Sequence, residues 1–282
     1  MKLHSTLDWL RFTVPHDLQI EDVLPFDWAI PVRLPSPLTP YPSYNTALKM
    51  RIGRVDWHDG RPEQRKMFTL TGDDFMLLAR ENFNVDMLLM AMSKVEKLNV
   101  TRLDFAVDVY EPGIRANEVY QAFERGGLKT QSKTVRRVQS GDAPRNFDPA
   151  TTVYIGARSS VAMLRVYDKG KQQRLDIDWV RIEIEAKQEK AGKLAGAMLM
   201  HGIHDAGCEA IKGAALVDVD WWLPALDGNA ELDLSLGRRE TDWEKWVRET
   251  VIPNFERAVK TDANGAREAL RTLHEKYKDL LI

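Results

Sequence analysis

The sequence predicts an α+β protein built around a largely antiparallel central sheet, with helices on one face and further helices at the C-terminal end. Three observations carry this. Several segments alternate polar and apolar residues with a period of two, and others repeat apolar residues at helical spacing. Two of the strand segments are also joined by the short turn Arg158-Ser159-Ser160, which suits an antiparallel hairpin.

In chain order, LDWLRFTV (7–14) reads as a strand, and the Pro-rich passage PFDWAIPVRLPSPLTPYPSY after it can hold neither a helix nor a central strand. Strand-like pieces follow near 47–56 and 65–70. Thr71 and Asp73 can cap a helix whose apolar residues Phe75, Leu77, Leu78, Met87, Leu88 and Met92 recur at helical spacing to about Leu98, with Asn84 a point of division. VTRLDFAVDVY (100–110) alternates as a strand, Pro112 and Gly113 end it, and 116–125 reads as a helix closed by Gly126 and Gly127. TTVYIGA, VAMLRVYDK and DWVRIEIEAK supply three more strands, an Ala-rich helix begins near 189, and Thr241 to Ile282 reads as two amphipathic helices. The organisation expected is a core over 1–190 and a helical part over 191–282 that packs on it.

The 44% apolar and 29% charged composition is that of a folded globular chain. The one cysteine, Cys208, can form no internal disulfide and has no companion at zinc-site spacing, so the chain reads as reduced and cytoplasmic. Asp8 and Arg11 interrupt the apolar N-terminus, which therefore reads as neither signal peptide nor membrane span. A net charge of −2 argues against a protein that coats DNA non-specifically. Cations cluster locally instead: Arg125, Lys129, Lys133, Arg136, Arg137 and Arg145 stand against the one acid Asp142, a candidate phosphate-contacting arm with Arg158 grouped beside it.

Side chains on a strand alternate faces, so three strands reveal a shared polar side. Arg102, Asp104, Asp108 and Tyr110 oppose Leu103, Phe105, Val107 and Val109; Arg165, Tyr167 and Lys169 oppose Leu164 and Val166; Trp179, Arg181, Glu183, Glu185 and Lys187 oppose Val180, Ile182 and Ile184. Solvent-facing ion pairs would explain such a face, but aspartate is a poor strand former, and two in one strand call for a reason. Carboxylates on a rigid sheet can hold a hard divalent ion that stabilises phosphoryl transfer. Asp104 and Asp108 lie roughly 13 Å apart along a strand. One ion is therefore expected between Asp104 and Glu183, with Glu185 in reach, leaving Asp108 to orient Lys169 or Arg165. A tyrosine with an ordinary pKa of roughly 10 needs help to attack a phosphodiester. Arg165 and Lys169, flanking Tyr167 on one face, are placed to lower its pKa or to bind the phosphate.

The blocks LDWLRFTV, TRLDFAVDVYEPG (101–113), TVYIGARSSVAMLRVYDKG (152–170) and WVRIEIEAK (179–187), in this order, resemble the replication initiation factor (Rep-trans) family of rolling-circle initiators and some relaxases. TDWEKWVRETVIPNFERA (241–258) is similar to the tail of its filamentous-phage members. The resemblance implies a nicking-and-joining enzyme with a core distantly similar to the HUH endonucleases. It implies Mg²⁺ or Mn²⁺ held by Asp104, Asp108 and Glu183, and Tyr167 as nucleophile with Tyr154 in reserve. It also implies a 5′-phosphotyrosyl product with a free 3′-hydroxyl primer. The partners implied are single-stranded or hairpin origin DNA, a host helicase and polymerase in a bacterial cytoplasm, and a second copy of the chain. The histidine–hydrophobic–histidine metal motif of HUH enzymes is absent. His201 and His204, in HGIH on an expected helix, are read as surface or packing residues. Two other readings of the same residues stay open: an origin-binding regulator without cleavage, and a nuclease in which water attacks and Tyr167 positions substrate. Of the tryptophans that could stack on bases, Trp179 is expected to be partly exposed.

Overall fold

A computed structural model describes residues 1–19, 28, 30–32, 37–81, 83, 85–140, 149–227 and 231–232. The chain groups into two compact units, Met1–Leu236 and Gly237–Ile282. The helices that follow residue 190 and are described here thus belong to the first unit. The helices expected over 241–282, with Trp243 and Trp246, lie outside the described residues, as do Asn84, Asp142 and Arg145.

The first unit opens with β1 (Lys2–Val14), then β2 (Thr46–Lys49), β3 (Arg54–Trp57) and β4 (Lys66–Thr71). Helices α1 (Gly72–Arg80) and α2 (Val85–Ser93) follow as two pieces, the first opened by a reciprocal cap between Thr71 and Asp74. Next come β5 (Asn99–Tyr110), α3 (Asn117–Glu124), β6 (Leu128–Thr130), β7 (Val135–Ser140), β8 (Ala150–Ile155), β9 (Ala162–Asp168), the single turn α4 (Lys169–Gln172) and β10 (Trp179–Lys187). Helices α5 (Glu189–His201) and α6 (Ile203–Ala214), strand β11 (Ala215–Val217), α7 (Trp222–Asp227) and β12 (Glu231–Leu232) complete it.

The main sheet runs β2-β3-β4-β1-β5-β10-β9-β8-β7, antiparallel at every step, and β12 adds a short parallel pairing to β1. A small second sheet joins β11 to β6. The expected class is therefore observed. The basic segment read as a candidate phosphate-contacting arm contains β6 and β7, whose short polar runs carry no clear alternation.

The longest strands lie at the centre because their apolar sets are the most complete. Leu103, Phe105, Val107 and Val109 of β5, with Val180, Ile182 and Ile184 of β10, face α5 and α6 and are buried. Gly207 on α6 explains how closely that helix approaches. A Cβ there would fall 2.3 Å from the Phe105 ring, so only hydrogen fits. Gly202 performs the other special task. At φ +89 it ends α5 and starts α6, dividing HGIH so that His201 and His204 lie on separate helices instead of the single one expected. No helix among the described residues is long and apolar enough to cross a membrane.

Helix propensity and packing therefore oppose each other within α6. Gly207→Ala should lower stability by about 1–3 kcal/mol through overpacking, although alanine is the better helix former. Gly213→Ala, with open space at its Cβ, should raise stability by about 0.5–1 kcal/mol. Urea unfolding of the two variants measures both.

Candidate active site

Strand register sets the site. β5 and β10 pair Asp108 with Arg181 and Asp104 with Glu185, while β10 and β9 pair Arg181 with Tyr167 and Glu183 with Arg165. All these side chains leave the sheet on the same side, as period two requires. This face is not the solvated surface that polar strand residues suggest. Asp104, Asp108 and Glu183 are each 1% exposed and Tyr167 is 7% exposed. Paired charges make that burial tolerable, because each acid meets an arginine.

Asp108 accepts two bonds from Arg181, Nε to Oδ1 and Nη2 to Oδ2, both 2.7 Å, and a third from Trp179 Nε1 at 2.6 Å. The acid expected to orient Lys169 or Arg165 therefore orients Arg181 instead. Trp179, expected to be partly exposed, is buried at 6%, stacked on Tyr110 and bonded to Asp108. That removes it as a base-stacking surface. Asp104 is gripped by Arg102, Nε to Oδ1 at 2.9 Å and Nη2 to Oδ2 at 2.6 Å, and Arg165 Nη2 lies 3.5 Å from it. Glu185 pairs with Arg102 at 2.8 Å and Lys187 at 2.5 Å. Burial works to raise the Glu185 carboxyl, but Lys187 and Arg102 outweigh it and hold it below its ordinary value.

Glu183 is the junction. One carboxylate oxygen pairs with Arg165, and the other accepts the Tyr167 hydroxyl at 3.1 Å. Burial and then the negative charge of Asp8 push its pKa up to about 7. Tyr167 is shifted the same way, well above its ordinary value, by burial and then by Glu183. This corrects the expectation that Arg165 and Lys169 lower the phenol's pKa. Arg165 is engaged by Glu183, and Lys169 starts α4 instead of continuing the strand face, its Nζ 5.5 Å from the Tyr167 ring centre. Burial, followed by repulsion from Arg181, lowers Lys169 to about 8.

One site residue escaped the sequence reading. The β1–β5 register slips between Leu7 and Trp9, so Asp8 is the extra residue of a bulge. The bulge turns Asp8 to Arg181 Nη1 at 2.9 Å. Its trace in the sequence is the spacing of buried residues, Leu7 then Leu10, Phe12 and Val14, where one step of three interrupts steps of two.

The basic residues do not form one patch. Lys129 lies exposed on β6 in the small sheet, and Lys133 on the turn before β7. Arg137 turns to the helical side, over the Tyr120 ring at 4.6 Å and 3.1 Å from Asn117 Oδ1. Arg136 shares the polar face, 4.8 Å over the Tyr154 ring. Arg158 is exposed at the β8–β9 turn, where its carbonyl accepts from Lys187. Cys208 is buried, which pushes its thiol up to about 12, and its sulfur lies 3.7 Å from His204.

The raised Glu183 pKa fixes a sign. The folded state holds this proton more tightly than the unfolded chain, whose carboxyl titrates near 4.5. Metal-free protein should therefore lose stability as pH rises from about 4.5 to about 7. Glu183→Gln should remove that portion of the slope. Thermal melts in EDTA across this range, variant against parent, measure it, and an unchanged slope would refute the assignment.

A family model described as replication initiation factor matches residues 98–273. The solved structure of a rolling circle replication initiator protein from Geobacillus stearothermophilus is similar at a TM-score of 0.67 and 19% identity, over 82% of this chain and 98% of that one. The two share a fold, which in this chain is a large antiparallel sheet with helices. No curated protein sequence matches the chain.

Proposed function

The chain belongs to the replication initiation factor family, and on that premise we propose that it starts rolling-circle replication by cutting one DNA strand at an origin, with Tyr167 as nucleophile. The observation that carries this reading is the bond from the Tyr167 hydroxyl to Glu183, on a carboxylate that Arg165 also holds. A carboxylate with its pKa near neutrality is a competent acceptor for a phenolic proton. As Glu183 takes that proton, the phenolate oxygen bonds to phosphorus and the bond from phosphorus to the 3′-oxygen breaks. The 5′-phosphate stays on Tyr167.

Lys169, near pKa 8, holds a proton at neutral pH and can deliver it to the departing 3′-oxygen. Arg165, with 28% of its side chain exposed, is the cation best placed to meet the scissile phosphate. The free 3′-hydroxyl then primes a host polymerase, with a helicase parting the strands.

The acids fit a hard divalent ion unequally. Every donor is oxygen, and Glu183 is raised by burial and by its acidic neighbours Asp8 and Asp104, against the lowering effect of Arg165 and Arg181. Among the described residues no three of these acids gather closely enough to cage an ion; Asp104 or Asp8 would hold Mg²⁺ or Mn²⁺ beside Glu183, whose own oxygens serve Arg165 and Tyr167. Asp104 must first release Arg102. Asp108 fits poorly, since Arg181 and Trp179 use both its oxygens. When bound, the ion polarises the scissile phosphate.

Incubation with supercoiled origin DNA and Mn²⁺ should give a covalent protein–DNA adduct on denaturing gels. Tyr167→Phe should reduce the adduct to background while keeping DNA affinity within about twofold, the loss of one buried hydroxyl bond being local. An undiminished adduct in that variant would reject Tyr167 as the nucleophile.

A further inference from the structure

A second aromatic residue lies on the polar face, outside the chemistry described above. On β8, Thr152 and Tyr154 point to that face while Val153 and Ile155 enter the core. Register places Tyr154 opposite Arg165 on one side and Arg136 on the other, and Arg165 opposite Glu183. Glu183, Arg165, Tyr154 and Arg136 thus form one row across β10, β9, β8 and β7. Neighbouring strands stand about 4.8 Å apart, so the row runs roughly 14 Å from the reacting carboxylate to the outermost strand.

The chemistry of this row is specific. Tyr154 is half-buried, with Arg136 stacked 4.8 Å from its ring centre and exposed to solvent. Neither β7 nor β8 carries an acidic residue, and among the described residues no carboxylate pairs with Arg136. A flat ring with one guanidinium stacked on it and a second arginine on the neighbouring strand suits a polyanion whose backbone alternates with flat rings of its own. Unpaired nucleic acid has that character, whereas a duplex hides its base faces. An acidic protein surface would satisfy the cations and leave the ring unused.

We infer that Tyr154 is a stacking platform for one base of an unpaired DNA strand that runs from Glu183 toward β7, with Arg165 and Arg136 meeting the phosphates on either side of that base. The inference deepens the nicking reading by giving the substrate strand a path, and rests on it for the identity of that strand.

The test is equilibrium binding of the full chain to a fluorescein-labelled single strand of mixed sequence and to its duplex, in EDTA so that no cleavage contributes. Tyr154→Leu should weaken single-strand binding about 5- to 150-fold and duplex binding by less than about twofold. Tyr154→Phe, which keeps the ring, should bind as the parent does, and Arg136→Gln should reduce the salt dependence by about one phosphate contact. Parental single-strand affinity in Tyr154→Leu overturns the platform. Equal loss on both DNA forms, or loss in Tyr154→Phe, does so too, since the ring face would then not be what the strand uses. A parent protein that binds single strands but never forms the covalent adduct would instead defeat the nicking reading and leave the platform standing.

Discussion

Burying charge in the middle of a sheet is costly unless each charge meets its opposite, and this molecule meets that condition through strand register. Asp108 faces Arg181 across β5 and β10, and Glu183 faces Arg165 across β10 and β9. A slip of one residue would turn the polar set into the hydrophobic layer under α5 and α6. Such pairs add little net stability, because desolvation consumes most of the attraction, yet leaving one partner alone costs about 3–5 kcal/mol. They therefore act as a register lock more than as a source of stability. The lock has a chemical by-product: burial, with Asp8 nearby, pushes the Glu183 carboxyl up to about 7 despite the arginines around it.

The opposite side of the sheet gives this arrangement its rigidity. Phe105, Val107, Ile182 and Ile184 form a continuous apolar layer, and Gly207 lets α6 settle directly on the Phe105 ring. A side chain on an interior strand is held by two neighbouring strands and by the layer behind it. Tyr167 sits on β9, whose neighbours β10 and β8 supply Glu183 and Tyr154 respectively. Positioning by strands is firmer than positioning by loops, the firmness that the proposed attack on phosphorus requires.

The central strands were legible in the sequence because their alternation is strong, and so was the shared face of Asp104, Asp108, Tyr167 and Glu183. Three things were not. The depth of the face was hidden, because alternation reports which residues share a side and not whether ion pairing will bury them; Trp179 was misjudged for that reason. The bulge at Asp8 breaks the very periodicity that strand reading depends on, leaving only the step between Leu7 and Leu10. β6 and β7 carry few apolar residues, so their pairing is decided by neighbouring strands and not by their own pattern. The basic run 125–145 likewise looked like one arm, but alternation along β7 sends Arg136 and Arg137 to opposite sides of the sheet.

β1 deserves weight beyond its place at the head of the chain. It lies between β4 and β5 in the interior of the sheet, and through Asp8 it supplies the second carboxylate on Arg181. The family match begins only at residue 98. A fragment cut to that boundary would strip β5 of one side of its hydrogen-bond ladder and open an unsealed edge beside the buried acids, an invitation to self-association. The matched span is thus not self-sufficient: the arginine at its heart leans on a carboxylate from a strand that lies before it.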